Sequence, residues 1–140
     1  MRVIITLTLL FFPLTLIGCS RGIPVTPVTG VVMLNGKPVE EATVTFIPEN
    51  VSCRGASGGT NAAGHFALRT FAADKAGAMQ GKFLVTVNKL EVTVSGGAPV
   101  FKQLMPEVYT KQETSPLRAE VKNGRNHFVL EMTTENKSDE

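Results

Sequence analysis

From about residue 30 onward, apolar and polar residues alternate in short runs, the period of a half-buried β-strand. Residues 31–34 are an apolar run that stops at Asn35-Gly36, a pair that tolerates positive φ at both positions and so marks a tight hairpin turn. After Lys37-Pro38, Ala42, Val44 and Phe46 share one face of a strand, with Thr43 and Thr45 on the other. Residues 55–60 are small and read as a weak edge strand. Asn61-Ala62-Ala63-Gly64 is a turn, and residues 65–70 alternate again with Phe66 and Leu68 on one side. The clearest strand covers residues 81–89, with Phe83, Val85 and Val87 inward and Lys82, Thr86 and Asn88 outward. Leu117, Ala119 and Val121 oppose Arg118, Glu120 and Lys122. A turn at Asn123-Gly124 then leads to residues 126–132, where Phe128, Leu130 and Met132 oppose His127 and Glu131. No segment carries a convincing helical period.

This pattern predicts an all-β fold, an antiparallel β-sandwich of about seven short strands. Its expected core is Val44, Phe46, Phe66, Leu68, Phe83, Val85, Val87, Phe128 and Leu130. Two connections are longer than the rest, residues 71–80 and 90–116. The second is unusually long for a compact domain and is the largest loop surface the chain offers. Residues 90–94 extend the preceding strand in this reading, until Ser95-Gly96-Gly97 breaks it.

The N-terminus follows different rules. Arg2 precedes a nearly unbroken apolar run over residues 3–16, shorter than the ~20 residues of a membrane span and interrupted by Pro13. It reads as the apolar region of a secretory signal. The run ends in Leu16-Ile17-Gly18-Cys19, which resembles the lipobox of bacterial lipoproteins. That resemblance implies cleavage between Gly18 and Cys19 and a diacylglyceryl group on the Cys19 thiol. Stable anchoring takes about two acyl chains, which diacylglycerol supplies. The expected organisation is a signal peptide (residues 1–18), a lipidated tether (19–29), a β-domain (30–132) and a polar tail (133–140). Ser20 rather than aspartate after the cysteine favours the outer membrane where the cell has two.

Composition narrows the remaining choices. Removing Arg2 with the leader takes the net charge from +2 to +1, without the basic stripe that nucleic acid binding requires. Beyond Cys19 the sole cysteine is Cys53, so neither an intramolecular disulfide nor a cysteine zinc cluster is expected. The fold must then rest on its hydrophobic core.

The order of several pieces resembles bacterial carboxypeptidase regulatory-like domains, a transthyretin-like (prealbumin-like) sandwich family. They are Val28-Thr29-Gly30-Val31-Val32, Leu34-Asn35-Gly36-Lys37-Pro38, Ala42-Thr43-Val44-Thr45-Phe46, Thr60-Asn61-Ala62-Ala63-Gly64-His65-Phe66 and Gly81-Lys82-Phe83-Leu84-Val85-Thr86-Val87. Leu104-Met105-Pro106-Glu107-Val108-Tyr109, Ser115-Pro116-Leu117 and Asn126-His127-Phe128 look like small lipoproteins carrying this domain. The resemblance implies a transthyretin-like or immunoglobulin-like sandwich in which motif glycines mark turns. It implies no peptidase activity and supplies no catalytic residues. Transthyretin-like hydrolases of a purine-breakdown product end in Tyr-Arg-Gly-Ser, whereas this chain ends in Lys137-Ser138-Asp139-Glu140.

No constellation of catalytic residues is legible. His65 and His127 fall on outward strand positions, Ser52, Ser57, Ser95 and Ser115 lack a nucleophile elbow, and Cys53 stands beside Arg54 in a loop. The expectation is a lipid-anchored, non-enzymatic envelope domain without metal or cofactor. Its partners would be the membrane, through the anchor, and other envelope proteins. The alternative is a module that binds cell-wall glycan or a small ligand through loops at one sandwich end. Phe101 and Tyr109, in the long connection, are the candidate contact residues.

Overall fold

The computed structural model describes residues 22–71 and 75–134. The expected leader, Gly18, Cys19 and residues 135–140 of the tail lie outside the described residues. Among the described residues the strands are β1 (Val28–Leu34), β2 (Lys37–Pro38), β3 (Thr43–Pro48), β4 (Ala56–Gly59), β5 (His65–Ala67), β6 (Arg69–Thr70), β7 (Lys75–Ala76), β8 (Gly81–Asn88), β9 (Leu90–Ser95), β10 (Ala98–Gln103), β11 (Arg118–Val121) and β12 (Asn126–Met132). A 3-10 turn, Glu107–Tyr109, lies between β10 and β11.

The fold is an all-β sandwich. One sheet has six antiparallel strands in the order β11-β8-β3-β4-β6-β7. The other has four, with β1 flanked by β12 on one side and by β2 and β5 on the other. Phe46 of the larger sheet is the centre of the core. Its ring lies 5.7 Å from Phe83, 6.4 Å from Phe66 and 5.6 Å from Phe128, the last edge-on. Val32, Val44, Val85, Val87, Leu68 and Met132 complete the buried layer. Alternation therefore placed the inward residues as period two requires. Thr86, expected outward, is instead 4% exposed. The connection from β10 to β11 runs along that part of β8, where Ser115 Oγ donates to the Val85 carbonyl at 2.5 Å and Asn88 Nδ2 to the Thr110 carbonyl at 3.5 Å.

Four features depart from the linear reading. The strand expected over residues 65–70 is two strands in different sheets. The chain changes sheet at Leu68, which is buried and donates its N–H to the Val28 carbonyl. The small-residue segment is not an edge: β4 lies between β3 and β6. Gly58 allows this, because a Cβ there would sit 2.3 Å from the Ala67 carbonyl oxygen. Gly30, expected at a turn, is inside β1, where Phe66 of β5 packs on it. Finally β1 and β12 pair in parallel, from Val28↔Asn126 to Leu34↔Met132, an exception to the antiparallel rule of the remaining pairs. The end of the expected tether also belongs to the fold, since Thr26 bridges Ala78 and β1 begins at Val28.

Candidate functional site

Residues 90–103, expected as mostly loop, form a β-hairpin that stands away from both sheets. Val92-Thr93-Val94 precedes and Val100-Phe101 follows Gly96-Gly97, whose φ values of 62° and 82° supply the two left-handed positions of a tight two-residue turn. The Leu104 N–H donates to the Lys89 carbonyl at 2.8 Å, so Lys89 and Leu104 are a hydrogen-bonded pair and every second pair beyond them is too. Pro99, opposite Val94, thus falls at a non-hydrogen-bonded pair, where its missing N–H lies on the outer edge. Gln103 braces the base: its Oε1 accepts from the N–H groups of Lys89 and Met105, and its Nε2 donates to Asn88 Oδ1.

Among the described residues neither β9 nor β10 pairs with another strand, and every residue of both is exposed. Cross-strand register sorts them into two unlike faces. Leu90, Val92, Val94, Pro99 and Phe101 share one face, with Gln103 at its base. The other carries Glu91 opposite Lys102, Thr93 opposite Val100 and Ser95 opposite Ala98. Phe101 is 63% exposed and Val94 76%.

Tyr109, the other candidate contact residue, corrects the sequence reading. It is only 9% exposed and belongs to the core, and its phenol oxygen accepts the Thr133 N–H at 3.2 Å. The short turn before it holds it inward, with Thr110 Oγ1 donating to the Glu107 carbonyl. Lys111 pairs with Glu107 on the exposed side of that turn. The pair's hydrogen bond, and then its charge, hold the Glu107 carboxyl below the usual range and the Lys111 ammonium above it. The two candidates therefore do not meet in one surface.

No family model matches this chain, and no curated protein matches it. Among solved structures, a 9R-lipoxygenase from Cyanothece PCC8801 aligns with 78% of this chain at 15% identity and a TM-score of 0.41. The alignment takes in 16% of that protein's length and carries no argument about this one.

A cleft of about 500 Å³ opens at the hairpin base, lined by Leu34, Pro38, Leu104 and Met105 together with Lys37, Glu40 and Lys89. Leu104 and Lys89 place it on the mixed side of the hairpin, not the apolar one. The histidines are apart and exposed: His65 opens β5, and His127 shares a 3.1 Å hydrogen bond with Thr29 Oγ1. Among the described residues no three of His, Cys, Asp and Glu gather as a metal site would require. Cys53 is partly exposed, and its thiol donates to the Gln80 carbonyl at 3.5 Å. Ser115 is buried, with its hydroxyl spent on the Val85 carbonyl. Linear reading missed the hairpin, although Gly-Gly between segments with strand-forming residues, here Val92-Thr93-Val94 and Val100-Phe101, is a hairpin signal.

Proposed function

We propose that this chain is a lipid-anchored, non-enzymatic domain of the bacterial cell envelope that works by contact, through the β9–β10 hairpin. Cys19 carries the lipid in this reading, and the membrane that holds it is the outer one where there are two. The observation that carries the proposal is the polarity of β1. The chain coming from Cys19 enters the sandwich at Val28, and the hairpin leaves beside the opposite end, where Leu34 and Lys89 line one cleft. Seven residues of strand separate the two ends by about 20 Å. A domain tethered at one pole then presents an exposed, partly apolar arm at the other. The described residues include no helix long and apolar enough to cross a membrane, and none is needed if Cys19 anchors the chain.

Cys19→Ala tests the anchor. With labelled palmitate, the unaltered chain should take up label and pellet with membranes, and the variant should do neither. A variant that stays labelled and membrane-bound would overturn the reading. The cleft at the hairpin base favours a second reading, a module for cell-wall glycan or a small ligand. Calorimetric titration with muropeptide fragments decides it: heat that disappears in Lys89→Ala would favour the module over the contact arm.

A further inference from the structure

We propose that the apolar face of the β9–β10 hairpin is a two-fold self-association surface, and that its occupant is the same face of a second copy of this chain. This goes beyond the contact role proposed above by naming the partner. A lone two-stranded hairpin with both faces in water is only marginally stable, and three or more strands or a packing partner are normally needed. Here, among the described residues, neither strand is paired outside the hairpin, and neither sheet covers either face.

The face itself specifies its complement. Leu90, Val92, Val94, Pro99 and Phe101 present no charge, and the one polar side chain, Gln103, is spent on Asn88, Lys89 and Met105 at the base. A charged partner finds nothing to pair with, whereas an identical apolar face matches it. Leu90, Val92, Val94 and Phe101 are 56%, 57%, 76% and 63% exposed. With Pro99, at on the order of 100 Å² each, they offer about 500 Å² per copy. That matches the largest apolar patch on a typical monomer, which is often functional. Two copies together cover at most about 1,000 Å², the size of a weak or transient interface.

The edges favour packing face to face. Pro99 removes a donor from the outer edge of β10. Pairing through the edge of β9 would leave the apolar face wet, so only face-to-face packing covers it. With a two-fold axis along the hairpin, both arms point the same way and both chain starts lie at the same end. That arrangement suits two copies tethered to one membrane. Tethering also raises their effective concentration, so an interface of this modest size suffices there.

Cross-linking in native membranes tests the proposal on the full-length chain, with Cys53→Ser as background. Val94→Cys reports on the apolar face and Thr93→Cys on the other, using a short bis-maleimide. Val94→Cys should give covalent dimer in at least about tenfold greater yield than Thr93→Cys, and adding Phe101→Lys should remove the difference. Thermal melts that coincide with the background chain show that each variant is folded. Equal yields from both faces, no dimer from Val94→Cys, or a Val94→Cys adduct to a different protein would each overturn it. Palmitate uptake by the same samples reports the anchor separately, so failure of anchoring and failure of pairing are told apart.

Discussion

Glycine at position 30 shows what one missing side chain does in this protein. A Cβ there would lie 2.4 Å from the Phe128 carbonyl oxygen and 2.5 Å from Phe66 Cζ. The β1–β12 ladder holds the first and the packed Phe66 ring the second, so neither is free to retreat. Gly30→Ala should therefore destabilise the fold by about 3 kcal/mol, the upper range for overpacking a core, read as a lower midpoint in urea. A midpoint within error of the unaltered chain would mean that Phe66 does not lie over β1. Phe83 tests the opposite change. It is wholly buried, and its ring contacts Phe46. Phe83→Ala should cost about 3–5 kcal/mol by removing both transfer energy and packing. A loss under about 0.5 kcal/mol would place residue 83 at the surface. Inward positions such as Phe83 were legible because they follow strict alternation. Gly30 was misread as a turn marker because its reason lies in Phe66 of β5, 36 residues further along the chain.

Elements differ in how much of the fold they carry. The corner between β11 and β12 joins two sheets, and Asn126 closes it. Its Oδ1 accepts the Lys122 N–H at 2.9 Å, and its Nδ2 donates to the carbonyls of Lys122 and Gly124 at 2.8 and 3.2 Å. Asn126→Ala leaves these partners to water or to nothing and should cost about 1–2 kcal/mol. A denaturation midpoint that does not move would show that water replaces the amide without loss. The hairpin is the contrary case. It contributes no buried residue, and the core closes beneath it through Met105 and Tyr109. Replacing residues 90–103 by a short Gly-Ser turn should keep a single cooperative melt within a few degrees of the unaltered chain. Broad or two-step melting would show that the arm braces the sandwich. Asn35-Gly36 was legible because a two-residue turn is a local event, with φ values of 51° and 77°. Gly96-Gly97 is the same kind of event, with φ values of 62° and 82°, but Ser95-Gly96-Gly97 reads from the sequence as a break that ends a strand, and only the pairing of residues 90–95 with 98–103 shows it to be a turn between two.

At the scale of the molecule, the first and last strands of the sandwich decide the architecture. β1 and β12 lie side by side in parallel, with about a hundred residues between them in the chain, and no hairpin signal links them. Their pairing brings the start of the domain and its end to one sheet. It also sets Val28, where the proposed tether would arrive, at the pole opposite the cleft and the arm. The functional reading depends on this polarity more than on any single residue. The proposed anchor needs no fold, because an apolar run ending in Leu16-Ile17-Gly18-Cys19 is a linear motif.

By itself the sequence determined the properties that have a short period. They are the strand class, the inward side of most strands, the turns at Asn35-Gly36 and Asn123-Gly124, and a core built on phenylalanine and valine. Each follows from residues two to four positions apart, which is the range over which alternation and turn chemistry act. Only the tertiary structure decided where β4 sits, that residues 65–70 serve two sheets, and that β1 and β12 are parallel neighbours. It also separated the two candidate contact residues. Tyr109 is drawn into the core, where its hydroxyl oxygen accepts the Thr133 N–H, while Phe101 stays in water on an unpartnered face. Both are aromatic residues in one long connection, and nothing local distinguishes them. The difference comes from which side chains meet across distant segments, and burial is decided by that meeting.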